Sequence, residues 1–250
     1  MINGIQLSSI KAYMKSEADI RASLARLAAI GYDTAQLQWH AKDVPVSAVA
    51  DALRASGITA VSLQDFTHEI LADAEYYLSL ADACGFSDIT ISGIPAEELS
   101  PEGVVRFAER IAPLHRRLMR EGMTLTFHPR WQELYAVEGK TPLAMLLENA
   151  DASLRVLPDM NHVFRAGLDA QKFFASVAGR IDFIHAKDMT DTTREKSHLT
   201  PVGQGCIPWE AVIPAAEQAG ARIVFAEQES WDKDAFVCMG ESYRYLKSFA

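Results

Sequence analysis

The sequence predicts a single (β/α)8 barrel, and three observations point to it. The first is a phrase that recurs along the chain, in which an amphipathic segment ends in Gly and a short β-branched run follows. Its copies are RLAAIGYDTAQLQW (26–39), ALRASGITAVSLQ (52–64), LADACGFSDITISG (80–93), LMREGMTLTFH (118–128) and AEQAGARIVFAE (216–227). Gly directly after a helix takes the left-handed cap conformation, which residues with a Cβ avoid. The second is the character of the runs after each Gly. They are short and almost continuously apolar, as strands buried on both faces of a parallel sheet are. The third is length, since 250 residues is ordinary for eight β-α units.

Taken in order, strands are expected at about 4–8, 34–38, 59–63, 88–92, 123–128, 154–159, 181–186 and 222–227. Helical patterns lie between them at about 16–30, 46–56, 67–84, 101–121, 141–150, 169–178 and 208–219, with a last one from 232 onward. Three helix starts carry their own signals. Ser16 and Asp19 have capping-box spacing, and Pro101 after Ser100 suits a first turn, as does Pro142 after Thr141. Strict alternation favours a barrel over an open doubly wound sheet. No linker rich in Gly, Pro or Ser and no low-complexity block interrupts it, so residues 1–250 are expected to form one domain.

Composition narrows the function. Hydrophobic residues make up 49% and charged residues 23%, enough for a sizeable core. A net charge of −9 argues against a nucleic-acid partner, because phosphate backbones are met by basic faces. No apolar stretch approaches the roughly 20 residues that cross a bilayer, and the N-terminus lacks the pattern of a signal peptide. The three cysteines, Cys84, Cys206 and Cys238, show no CxxC spacing, so neither a disulfide framework nor a thiolate zinc site is expected and a reduced cytoplasm is the simplest compartment.

A barrel places its functional side chains at the C-terminal ends of the strands. Read in order, those ends offer Gln6 and Ser8, Gln38 and His40, Gln64 and Asp65, Ser92, His128 and Arg130, Asp159 and His162, His185 and Lys187, then Glu227, Gln228 and Glu229. Four consecutive strands ending in His, Asp, His and Glu place buried charges at one mouth, where they need compensation. Asp159, His185 and Glu227 are oxygen and imidazole ligands suited to Mn²⁺, Mg²⁺, Co²⁺ or Zn²⁺. A metal with open positions chelates adjacent substrate oxygens and polarises a carbonyl, and a neighbouring carboxylate then moves a proton.

These residues carry a resemblance. PDMNH at 158–162 resembles a D-x-x-H motif after strand six, HAKD at 185–188 an H-x-K-D after strand seven, VGQGCIPW at 202–209 a G-x-G-x-x-x-W segment, and FAEQE at 225–229 a terminal E-Q-D. HPRWQEL at 128–134 resembles an H-N-H-x-x-E-F signature, and GIQLSS (4–9) and GYDTAQL (31–37) extend the likeness over nearly the whole chain. Together they resemble the xylose-isomerase-like superfamily, the barrels of sugar phosphate isomerases and epimerases and of AP endonuclease family 2. The resemblance implies one divalent metal held by Asp159, His185 and Glu227 with a ligand from strand five. That ligand is usually Glu. Here the strand ends in His128 and the nearest acid is Glu133, so either His128 binds the metal or Glu133 reaches back from the loop.

The expected activity is a sugar or polyol isomerase or epimerase acting through an enediolate. Glu227 serves as ligand and base, and Glu133 or a group near His128 returns the proton. Arg130, His162, Lys187, Gln38 and Gln64 are expected to contact a carbohydrate, with Trp209 walling the pocket. The polar loop DMTDTTREKSHLTP (188–201) is long enough to act as a lid. Gly203 and Gly205 resemble a phosphate cradle only superficially, since no GK[ST] follows. A lyase that expels a β leaving group, and a sugar-binding barrel without turnover, remain open. The acidic charge and the shortage of further ligands speak against an AP endonuclease. Barrels of this type often form dimers or tetramers, so a homo-oligomer is compatible with this reading.

Overall fold

The structure, a computed structural model, describes residues 1–38, 40–192 and 197–249. Eight strands form one parallel sheet: β1 (Ile2–Gln6), β2 (Thr34–Leu37), β3 (Thr59–Phe66), β4 (Asp88–Ser92), β5 (Thr124–His128), β6 (Arg155–Val156), β7 (Phe183–Ala186) and β8 (Ile223–Ala226). Each pairs in parallel with its neighbour in sequence from β1 to β6, and β8 lies between β1 and β7. The seam between β6 and β7 is closed beyond the end of β6. Asp159 and His185 form a parallel bridge there, and the His185 N–H donates to the Pro158 carbonyl at 2.8 Å. The barrel predicted from the sequence is therefore the fold observed.

Helices cover the outside. Pro101–Arg120 shows why: Val104, Phe107, Ala108, Ile111, Leu114 and Leu118 are its buried apolar side chains and recur at helical spacing on one face. Each such side chain contributes about 1.5–3 kcal/mol on full burial. The three predicted starts are capped as expected. Ser16 accepts from the Asp19 N–H, Ser100 from that of Gly103 and Thr141 from that of Ala144. Gly31, Gly57, Gly85, Gly122 and Gly220, which end the repeated phrase, all have positive φ. Among the described residues no helix is long and apolar enough to cross a membrane.

Several boundaries differ from expectation. The first strand lies two residues earlier than the sequence suggests, because the Gln6 side chain accepts from the Ser8 N–H and turns the chain into a 3-10 segment, Leu7–Tyr13. The helix expected over 67–84 is two helices, Thr67–Ala72 and Ala74–Cys84, broken at Asp73, whose carboxylate caps the second. Strand six shrinks to Arg155–Val156, since Pro158 has no N–H with which to continue the ladder. A short helix, Met160–Arg165, and a hairpin of Asp188–Met189 with Leu199–Thr200 were not foreseen. The loop expected to act as a lid grows from that hairpin, and its residues 193–196 lie outside the described part of the chain.

The barrel interior is polar. Gln6, Gln36, Ser62, Asp88, Thr90 and Thr126 are buried and bond to one another across β1 to β5. Asp88, at the start of β4, accepts from the hydroxyls of Ser62, Thr90 and Thr126. Burial pushes its carboxyl up to about 6 in spite of those donors. The protonated form therefore suits the folded site better. Its contribution to stability is intact below the ordinary value of 3.8 and is lost as pH rises through about 6. That interval corresponds to about 3 kcal/mol at most. Asp88→Asn removes the titration, so its melting temperature is expected to gain on the wild type as pH rises from 5 to 8, by roughly 2–4 °C per kcal/mol for a chain of this size. Calorimetry at both pH values checks this, and an offset independent of pH contradicts it.

Candidate active site

Four side chains converge at the C-terminal mouth: His128 ends β5, Asp159 follows β6, His185 lies in β7 and Glu227 directly follows β8. His128, Asp159 and His185 each present an atom within 4.8 Å of the others. Glu227 Oε2 lies 2.9 Å from His185 Nδ1 without forming a hydrogen bond to it. All four residues are at most 4% exposed.

Each of the four has one polar atom tied to the protein and one without a partner. His128 Nδ1 meets the Ser92 hydroxyl at 3.1 Å, Asp159 Oδ1 caps the following helix by accepting from the Asn161 N–H, and His185 Nε2 meets Gln36 Oε1 at 2.7 Å. Glu227 Oε1 accepts from Ser8 Oγ at 3.2 Å and from Lys187 Nζ at 3.3 Å. The opposite atoms, His128 Nε2, Asp159 Oδ2, His185 Nδ1 and Glu227 Oε2, are buried with no hydrogen-bond partner. A single buried polar atom left unsatisfied costs about 1–3 kcal/mol. A cation is the kind of group that would compensate four of them at one barrel mouth. Two imidazoles and two carboxylates fit a divalent ion of the Zn²⁺, Co²⁺ or Mn²⁺ type.

Lys187 offsets part of the negative charge around the cluster. Lys187 is buried and donates to Glu229 Oε2 at 2.6 Å, and its Nζ lies 3.8 Å from Asp159 Oδ2. Burial works against its ammonium, but Glu227, Asp159 and Glu229 outweigh that and hold its pKa above the ordinary lysine value. For Asp159, burial pulls upward while His162 and Lys187 pull downward harder, bringing the carboxyl down to about 2. The Glu227 carboxyl is held well below the usual range, Lys187 and His185 overcoming its burial. His162 stands 3.6 Å from Asp159 Oδ2, and burial lowers its imidazole to about 3 against the pull of Asp159. At neutral pH it is an uncharged ring at the edge of the cluster, its Nδ1 without a partner.

The other residues singled out in the sequence are placed as follows. Of the two alternatives for the strand-five ligand, His128 faces the cluster. The Glu133 carboxylate instead accepts from the backbone N–H groups of Ile94 and Arg130 and from the Arg130 guanidinium, so it is engaged in joining two loops. Arg130 packs over Gly93, donates to the Ile94 carbonyl and lines a cavity of about 820 Å³ with Ser92, Thr67 and His68. Gln38 and Gln64 lie on the wall of a second cavity of about 410 Å³ at the ends of β2 and β3, with His40 and Tyr76. Gln38 Oε1 accepts from Gln6, whereas Gln64 Oε1 has no partner. Trp209 does not wall a pocket: it is fully buried and its indole N–H donates to Asp188. Ser8 and Ser92 stood among the strand-end polar residues without a role, and Gln36 did not stand out at all. Its signal was an amide in the middle of an otherwise apolar strand.

Residues 24–248 match the xylose isomerase-like TIM barrel family. The chain belongs to that family. No curated protein matches it in sequence. Among solved structures, this xylose isomerase-like barrel is similar to a sugar phosphate isomerase/epimerase from Parabacteroides distasonis ATCC 8503, with a TM-score of 0.81 and 16% identity over 99% of this chain and 94% of that one. It is similar to AsbF, a probable 3-DHS dehydratase from Bacillus anthracis, with a TM-score of 0.75 and 12% identity over 99% of each chain. The IOLI protein, solved with a zinc atom, aligns with a TM-score of 0.76 and 13% identity over 99% of this chain and 97% of that one.

In this xylose isomerase-like barrel, the G-x-G segment cradles an internal anion. Asp188 Oδ2 accepts from the N–H groups of Gly203 and Gly205 and from the Trp209 indole, and Oδ1 accepts from the N–H groups of Met189 and Ile207. This binds the chain after the hairpin to the rim beside Lys187. A Cβ at Gly205 would lie 2.1 Å from Asp188 Oδ1. Gly205→Ala is therefore expected to destabilise the protein by about 1–3 kcal/mol through overpacking. Denaturant unfolding measures it, and an unchanged midpoint would show the cradle to be loose.

Proposed function

We propose that this protein is a divalent-metal-dependent isomerase of a sugar or sugar-like polyol. The observation that carries the reading is the set of four buried ligand atoms without partners, on His128, Asp159, His185 and Glu227. A divalent cation bound by them would polarise a substrate carbonyl and stabilise the negative charge that develops when the adjacent C–H bond breaks. Glu227, oriented by Ser8 and Lys187 through Oε1, takes that proton. Lys187 and His162, both at the edge of the cluster, contact the substrate's oxygens, and Gln64 offers an unpartnered carbonyl to a distal hydroxyl.

The engagement of Glu133 in the loops bears on the outcome. One base moves a proton between neighbouring carbons on one face of an enediolate, which suffices for aldose–ketose isomerisation. Epimerisation requires delivery to the opposite face by a second acid, and Glu133 is held away from that task. A second reading is β-elimination, in which the Lys187 ammonium protonates the leaving group. The position of Lys187 beside Glu227 and the likeness to a probable dehydratase favour it. A cytoplasmic setting fits the free cysteines.

The test combines metal analysis with products. The purified protein is expected to hold close to one divalent ion and to turn over a member of a panel of aldoses, ketoses, keto-inositols and 3-keto-glycosides. Activity should vanish with chelator and return with Zn²⁺, Co²⁺ or Mn²⁺. Asp159→Asn is expected to lose the ion and the activity while keeping its circular dichroism spectrum. Elimination products would select the second reading. Carbohydrate binding with no metal and no turnover would sink both and leave a binding barrel.

A further inference from the structure

Gln36 sits in the barrel interior below the metal cluster, fully buried, and all four hydrogen-bonding positions of its amide are used. Its carbonyl oxygen faces His185 Nε2 at 2.7 Å and Gln6 Nε2 at 3.2 Å. Its amino group faces Ser62 Oγ at 3.1 Å and Thr90 Oγ1 at 3.4 Å. An amide's orientation normally has to be inferred from its surroundings, because its O and N look alike. Here the surroundings decide it twice.

From above, the backbone N–H of Ser8 donates to Gln6 Oε1 at 2.8 Å. A backbone N–H can only donate, so the Gln6 amino group is the half that points at Gln36, and it demands an acceptor there. From below, Asp88 Oδ1 takes the hydroxyl hydrogens of Ser62 at 2.6 Å and Thr90 at 2.9 Å. Above about pH 6 Asp88 is ionised and can only accept, and each hydroxyl has one hydrogen, so Ser62 and Thr90 present lone pairs to Gln36 and demand a donor there. Turning the amide over would set amino against amino on one side and lone pair against lone pair on the other. The Gln36 carbonyl therefore points at His185, and Nε2 of that ring has to carry a hydrogen. A ring whose one proton sits there has its lone pair on Nδ1, the atom that faces Glu227 Oε2.

We propose that Gln36 is a positioning residue for the metal centre: it keeps the proton on His185 Nε2, so that Nδ1 presents its lone pair and the ring is held at the angle the cation needs. This rests on the metal-dependent reading above. A partner on the far nitrogen of a metal-binding imidazole fixes tautomer and orientation in this way, and its loss typically costs about 10–100-fold in metal affinity. Gln36 reaches the ring from β2, three strands around the barrel from β7, so no local feature of the HAKD segment contains it.

Two measurements test this, neither of which is turnover. The first is nitrogen-15 NMR of His185 in the metal-free wild type at pH 8, where a proton on Nε2 is expected. A ring with its only proton on Nδ1 overturns the inference, whether or not any variant folds. The second is calorimetric titration with Co²⁺. Gln36→Met removes the acceptor at similar size and is expected to weaken Co²⁺ binding by about 10–100-fold. Gln36→Glu keeps the acceptor toward His185 while losing the donor to Ser62 and Thr90, and is expected to bind Co²⁺ more tightly than Gln36→Met. Wild-type affinity in Gln36→Met, or equal losses in both variants, overturns the inference while leaving the metal site standing. A wild type that binds no divalent ion removes the metal-dependent reading instead.

Discussion

The contact on which this structure depends is the one between Asp159 and His185. Their backbones close the barrel, forming the bridge that joins the short β6 to β7. Their side chains open the site, each turning an unpartnered atom toward His128 and Glu227. The seam and the cluster are thus one feature. Pro158 ends the ladder of β6 one residue before Asp159, and the freed chain turns at once into the helix that Asp159 caps with Oδ1. Oδ2 is left over because the cap needs only one oxygen.

That pattern of one atom tied and one atom free repeats at every residue of the cluster, and it explains how unsatisfied groups persist in a buried place. Ser92, Asn161, Gln36, Ser8 and Lys187 hold the far sides of the four cluster residues, so none can rotate away to find a partner without breaking a bond already made. The charges are arranged to the same end. Lys187 lies among three carboxylates and helps keep the two buried ones, Asp159 and Glu227, ionised in a setting where burial would otherwise protonate them.

Beneath the cluster the barrel is filled with hydroxyls and amides where branched aliphatic side chains are usual. The buried Asp88 gives this column a direction, since a carboxylate accepts and the chain above it must donate downward. Hydrogen bonds in such a column reinforce one another in a low dielectric, and any unpartnered member would be expensive. The Asp188 cradle is a second case of an internal carboxylate organising the chain around it. The G-x-G segment, only superficially like a phosphate cradle in sequence, joins five donors that are filled by a side chain of the same molecule.

The sequence by itself determined the architecture and most of the cluster. Helix, glycine and apolar run are local properties with local causes, and five copies of them among eight alternating strands and helices leave few ways to close a sheet. Strand ends are where a barrel puts its chemistry, so His128, Asp159, His185 and Glu227 were legible as one set. The fold alone decided whether His128 or Glu133 faces that set, because both lie within reach of the same mouth and only the hydrogen bonds from Ile94 and Arg130 turn Glu133 away. It alone removed Trp209 from the pocket, through an indole bond to Asp188. It alone brought Gln36 to His185, residues 149 positions apart. Position along a strand says which end a residue occupies. What it touches depends on partners from other strands, and closing the barrel is what supplies them.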